Sequence, residues 1–224
     1  MTLPSGRAVR VSTDAGHFYC NHMLWAISQW AAQPDSSVGR NAHGEPLIGF
    51  LHVPGDDATT VAGSVGYARK QAQSELRSVV GAAVLGLVAE AVRAGVVGPV
   101  RVLLTGYGNW GLVTDNPTAA FVRGLRGAMG PLQLRRRVFG VTDTTIDGGA
   151  LSVQALLARL RPHVVVALGV AVERGDFCVE VRADDSGLHP LGLRHLDHAP
   201  ARVTLADNFA IARAILHRPD HSDR

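Results

Sequence analysis

The sequence predicts an α/β fold: a three-layer α/β/α sandwich around a mainly parallel sheet. Three observations carry this expectation. Short, almost wholly apolar runs such as Val100-Arg-Val-Leu-Leu104 and His163-Val-Val-Val-Ala-Leu168 suit strands covered on both faces. Between such runs lie segments whose apolar residues recur every three or four positions, as on a helix with one buried face. The two kinds of segment alternate along the chain, which is the order of a sheet connected by crossover helices. With 224 residues, 46% of them hydrophobic and 18% charged, the chain can build one sizeable core and is short for two. A single domain over residues 1–224 is expected.

The first element is a short strand, Ala8-Val-Arg-Val-Ser12, which alternates and is rich in β-branched residues before a turn at Gly16. Cys20 then opens a helix in which Met23, Leu24, Ile27, Trp30 and Ala31 share one face. A cysteine on a first helical turn sits among unpaired backbone N–H groups at the positive end of the dipole, a setting that suits a nucleophile. A small buried core residue is the other role that fits this stretch. Ile48-Gly-Phe-Leu-His-Val53 reads as the second strand, stopped by Pro54-Gly-Asp-Asp57. It carries His52 at its carboxyl end, where ligands collect in open α/β sheets, although a lone histidine there is more often structural. A mobile loop is expected over 55–66. It is followed by a long helix whose stripe runs through Leu76, Val79, Val80, Ala83, Val84, Leu87, Val88 and Ala91 and which ends at Gly95.

The third strand, Val100 to Leu104, leads into Gly106-Tyr-Gly-Asn-Trp-Gly111, which has the G-x-G-x-x-G spacing of dinucleotide sites. A dinucleotide loop requires a helix to begin inside it and an acidic residue about 20 positions later. Here Asn116-Pro117, a cap followed by a first-turn proline, delays the helix, and Leu125 to Pro131 holds no carboxylate. Tyr107 and Trp110 therefore read as a pocket wall. Phe121, Val122 and Leu125 mark a short helix, Arg137 to Val141 a strand, Leu151 to Leu160 a helix, and His163 to Leu168 a buried strand ending in Gly169. In Phe177-Cys-Val-Glu-Val181 a carboxylate sits on an otherwise apolar strand, and burying it alone would cost several kcal/mol. Its partner is either Arg174 or Arg182 in a salt bridge, or a catalytic histidine. A last helix carries Leu205, Phe209, Ala212 and Leu216, and 217–224 reads as a flexible tail.

Composition narrows the function classes. The net charge of +3 is mild, and Arg135-Arg-Arg137 has no interleaved aromatic platform, so a solvated strand edge explains it better than a nucleic-acid groove. No apolar run approaches the roughly 20 residues of a membrane span, and Met1-Thr-Leu-Pro-Ser5 lacks the pattern of a secretory signal, so a cytoplasmic protein with no membrane partner is expected. The two cysteines, Cys20 and Cys178, make no disulfide framework. The histidines at 195, 198, 217 and 221 lack tight ligand spacing; neither a metal nor a cofactor is expected. The oligomeric state stays open, a homo-oligomer included.

Ser12-x-Asp-Ala-Gly-x-Phe-Tyr-Cys-Asn21 followed by Gly49-Phe-Leu-His-Val-Pro54 resembles the cysteine and histidine motifs of pyroglutamyl peptidase I, the pyrrolidone-carboxylate cysteine peptidases. In that family these motifs stand in the second half of the chain. The family's opening strand and loop resemble Val102-Leu-Leu-Thr-Gly-Tyr-Gly-Asn-Trp-Gly111 with Asn116-Pro117, and its glutamate motif resembles Gly169-x-Ala171 with Arg174 and Glu180. The resemblance thus implies a circular permutation, in which 1–97 matches the family's C-terminal half and 98–216 its N-terminal half.

What the resemblance implies is a Cys–His–Glu triad of Cys20, His52 and Glu180, with Phe18, Tyr19, Tyr107, Trp110, Asn116 and Val170 toward the substrate. Val170 stands where the family has a glutamine that contacts the lactam, and Val181 and Pro190 stand where it has arginines, so that Arg182 or Arg194 would have to substitute. Losing a positioned oxyanion donor costs about 2.7–4 kcal/mol in the transition state. The expected function is a cysteine amidase or peptidase acting on a small-molecule or peptide amide, pyroglutamyl-like or another small N-acyl or lactam amide, through a thioester. A thioester-based acyltransferase or lactam-forming cyclase and a non-catalytic binding relative are the alternatives.

Overall fold

The computed structural model describes residues 2–3, 6–16, 19–55, 67–110, 115–125, 132–141, 152–171 and 174–183. In chain order the elements are β1 (Val9–Ser12), α1 (Tyr19–Ala32), β2 (Ile48–Pro54), α2 (Tyr67–Arg93), β3 (Val100–Tyr107), α3 (Pro117–Gly124), β4 (Leu132–Phe139), α4 (Val153–Leu160), β5 (Val164–Ala171) and β6 (Phe177–Glu180). The strands form one six-stranded sheet in the order β1-β6-β2-β5-β3-β4. Every neighbouring pair is parallel except β2 and β6, so β1 and β6 run against the other four strands.

Strand alternation divides the apolar side chains between two cores, one on each face of the sheet. Leu51 and Val53 of β2 join Val164, Val166, Leu168 and Val170 of β5 under α2 and α3, where Val79, Val80, Leu87, Phe121 and Val122 meet them. Ile48 and Phe50 join Val165 and Ala167 on the other face, under Met23, Leu24 and Ile27 of α1 and Leu156 and Leu157 of α4. Helices thus cover both faces, as the alternation of segments predicts.

Local chemistry sets the ends of the helices. Asn116 caps α3, its side chain accepting from Thr118 N–H with Pro117 in the first turn. Ser152 caps α4 by accepting from Ala155 N–H at 3.1 Å. Beyond α2, Val96 N–H reaches Ala91 O and Gly95 N–H reaches Val92 O, both at 3.0 Å, with Gly95 at a φ of 88°, a left-handed turn that ends a helix.

Several strands run longer than their apolar runs suggest. β3 continues to Tyr107, β5 passes through Gly169 to Ala171, and β4 starts at Leu132 rather than Arg137. β4 is an edge strand, and its exposed Arg135 and Arg136 hide the alternation of Leu132, Leu134 and Val138. Charges on an edge strand also block pairing with another sheet, which accounts for the basic run. Apart from Gly55, the expected loop over 55–66 lies outside the described residues, as do the helix at 205–216, the tail, the four late histidines, Phe18, Pro190 and Arg194.

Candidate active site

His52 and Glu180 reach each other across the one antiparallel pair in the sheet. In the β2–β6 register Phe50 faces Glu180 and His52 faces Cys178, so His52 and Glu180 lie diagonally on the same face. His52 Nδ1 and Glu180 Oε1 are 2.8 Å apart, with His52 4% and Glu180 0% exposed. The Phe50 ring stands edge-on to the imidazole, 5.1 Å between centroids at 67°. Arg174 Nη1 donates to the same Glu180 oxygen at 2.6 Å. The salt bridge and the histidine contact, posed by the sequence as alternatives, both form, and together they offset the cost of a buried carboxylate. Arg182 is exposed and makes no such contact with Glu180.

Cys20 is the second residue of α1 and is partly buried. Its sulfur rests over Gly169, the residue paired in register with His52: a Cβ at Gly169 would lie 2.7 Å from Cys20 Sγ and 2.8 Å from a ring carbon of Phe50. Only a glycine leaves the thiol this seat. Burial works against a proton on His52, but the charge of Cys20 and its hydrogen bond, with the hydrogen bond and charge of Glu180, outweigh it and push the pKa up to about 9. With Nδ1 on Glu180, Nε2 is the nitrogen left for the thiol.

The segment that delivers Cys20 is held at both ends. Asp14 Oδ1 accepts from Gly16 N–H at 2.9 Å, closing a turn in which Gly16 has a φ of 80°. Arg174 Nη2 donates to Asp14 O at 2.7 Å. At the far end Tyr107 Oη donates to Tyr19 O at 2.9 Å. Burial first, and then the nearby Cys20 and Tyr19, raise the Tyr107 pKa well above 10, so the hydroxyl keeps the proton it donates.

The residues expected around the substrate divide into those at the thiol and those elsewhere. Tyr19 and Tyr107 lie beside Cys20, but Tyr107 is buried and acts as a brace rather than an open pocket wall. Trp110 is 40% exposed, just past the end of β3. Asn116 is buried and its side chain is engaged locally, accepting from Thr118 and donating to Gly108 O at 3.0 Å, so it shapes the connection after β3. Val170 is not brought to the thiol: it belongs to the core under α2, because neighbouring side chains on a strand point to opposite faces. Gly106 of the glycine-rich stretch is spent on packing, since a Cβ there would meet Thr118 O of α3 at 2.9 Å. Sequence reasoning missed the Gly169 seat, the Tyr107 brace and the second arm of Arg174. The first had a signal, a glycine within an apolar strand.

A comparison of the chain with protein-family models, with curated proteins and with solved structures finds no match. Among the described residues no cluster of three or more His, Cys, Asp or Glu is arranged to hold a metal ion, and no helix is long and apolar enough to cross a membrane. What the arrangement can do chemically therefore rests on its own geometry. A thiol, an imidazole and a carboxylate stand in series, at the positive end of a helix of 14 residues.

Proposed function

We propose that this chain is a cysteine hydrolase of the pyroglutamyl-peptidase type, cleaving a pyroglutamyl-like or other small N-acyl or lactam amide through a thioester on Cys20. The observation that carries the reading is the juxtaposition of Cys20, His52 and Glu180: the thiol is seated on Gly169, the register partner of His52, and Glu180 holds Nδ1 of that imidazole. The motif resemblance, in rotated order, supports it. So does the short turn from α2 through Gly95 and Gly98 into β3, the junction that a permuted order requires.

In this mechanism Glu180 fixes the ring so that Nε2 faces the sulfur. The Cys20 thiolate attacks the amide carbonyl, and His52, protonated at neutral pH, gives its proton to the departing amine as the C–N bond breaks. Water then attacks the thioester, giving a proton to His52, and the acid leaves as the imidazolium–thiolate pair is restored. Val170 faces the other core, so recognition of the acyl group falls to the residues around Tyr19, Tyr107 and Trp110.

Incubating wild type and Cys20→Ala with pyroglutamyl and other cyclic or linear N-acyl arylamides tests the reading. Arylamine release by wild type alone, with an acyl adduct on Cys20 by mass, is the expected result; release that survives in Cys20→Ala removes the mechanism. Hydroxylamine trapping of the thioester and product mass distinguish hydrolysis from transfer to an amine.

A further inference from the structure

Arg174 touches more of the site than a counter-ion needs to. Nη1 donates to Glu180 Oε1 at 2.6 Å and lies 3.4 Å from Ser12 Oγ, while Nη2 donates to Asp14 O at 2.7 Å. Its backbone is fastened as well: the N–H donates to Ala171 O at the end of β5, and the carbonyl accepts from Gly55 N–H just after β2, both at 3.1 Å. One residue therefore joins the strand that seats the thiol, the strand that carries the histidine, the carboxylate on β6 and the loop leading to Cys20. Glu180 Oε2 is buried with no hydrogen-bond partner among the described residues, so His52 and Arg174 converge on the single oxygen Oε1. A shift of the guanidinium must then move the carboxylate against which the imidazole is aligned. A planar fork can hold two acceptors in fixed relation, which an ammonium cannot.

We propose that Arg174 is a positioning residue: its two arms lock Glu180, and through it the His52 ring, in register with the loop that carries Cys20. The proposal rests on the triad reading of Cys20, His52 and Glu180. The groups facing Glu180 are His52 from β2, Cys178 from its own strand, Arg174 from the β5–β6 connection, and Ser12 and Asp14 from the end of β1; Cys20 and Tyr107 lie beyond the imidazole. Cys178 Sγ donates to Asp176 O at 3.9 Å, and burial pushes its thiol upward, so it adds no fixed charge at neutral pH. Asp176, further along the connection, is taken by Ala8 N–H and Arg10. Arg174 is thus the cation that balances Glu180 when His52 gives up its proton.

The test is the pH profile of Cys20 alkylation by iodoacetamide in wild type, Arg174→Met and Arg174→Lys, located by peptide mass and accompanied by thermal melts. Arg174→Met is expected to slow alkylation at pH 7 by tenfold or more and to move the inflection of the profile away from its wild-type position. Arg174→Lys keeps the charge beside Glu180 but cannot also hold Asp14 O, so it keeps the inflection and loses rate severalfold. A purely structural role would lower the melting temperature and leave the inflection in place. A Met variant whose inflection stays at the wild-type position, or a Lys variant that alkylates at the wild-type rate, overturns the proposal; if the Met variant does not fold, the Lys variant decides alone. A wild-type Cys20 no more reactive than a model thiol instead removes the triad reading, and the proposal with it.

Discussion

Gly169→Ala adds one methyl group at the point where the thiol rests on the sheet. The new carbon would stand 2.7 Å from Cys20 Sγ and 2.8 and 2.9 Å from two ring carbons of Phe50. Ordinary van der Waals contact lies at about 3.5–4.0 Å, so roughly 1 Å must be found somewhere. Phe50 is fully buried under α1 and cannot swing away, and the start of α1 is pinned by the Tyr107 hydroxyl. Gly169 does not have the positive φ that would itself strain an alanine, so the methyl contact is the whole perturbation. Overpacking of this kind costs about 1–3 kcal/mol, and for a chain of this size each kcal/mol lowers Tm by about 2–4 °C. A sulfur displaced by roughly 1 Å from its aligned position loses on the order of 100-fold in reaction rate. The assay is Cys20 alkylation at neutral pH beside a thermal melt, with Cys178 as the internal reference thiol. A Gly169→Ala protein with wild-type Cys20 reactivity and an unchanged Tm would show that the sulfur does not occupy this seat.

Three further outcomes are expected. His52 gains proton affinity on folding, from 6.5 to about 9, so its contribution to stability is full below pH 6.5 and is lost as pH rises through about 9. This is worth on the order of 3 kcal/mol, and denaturant titrations of wild type against His52→Gln between pH 6 and 10 would show the difference shrinking with pH; a difference that grows with pH contradicts it. Glu180→Gln leaves the Arg174 cation without its buried partner and should cost about 3–5 kcal/mol by chemical denaturation while lowering the pH at which the His52 ring titrates by NMR. An unshifted His52 titration would mean the carboxylate does not support the imidazolium. Tyr107→Phe removes the donor to Tyr19 O and should cost about 1–3 kcal/mol, slow Cys20 alkylation and leave its pH inflection in place; a moved inflection would assign Tyr107 a role in the charge balance instead.

The layers of the fold were legible because burial on both faces of a strand leaves a run such as Val164 to Leu168 that nothing else explains as well. The places of Cys20 and His52 at element ends were legible locally, but each had a structural role that fitted as well, and only the motif resemblance joined them as a pair. Glu180 was flagged by its conflict with an apolar strand, but the choice between arginine and histidine could not be made, because the register of β6 against β2 joins residues 128 apart and leaves no periodic trace. For the same reason the two arms of Arg174 and the reach of Tyr107 to Tyr19 were invisible: each spans elements that only the sheet order makes neighbours. Val170 was assigned to the substrate by its position in the resembling motif alone, whereas the pleat sends it and Gly169 to opposite faces and Val170 into the core under α2. The start of β4 was missed for a different reason, in that three arginines on an edge strand imitate a loop.

The short crossing from β5 to β6 has a consequence for how this chain can vary. Glu180 meets the imidazole only because β6 lies in one particular register on β2, with Val179 and Val181 turned to the opposite face. A slip of one residue in that register would present a valine to His52 and drive the acid into oil. Relatives that share this chemistry should therefore keep the pairing of β6 on β2 fixed even where the letters of the connection before it drift.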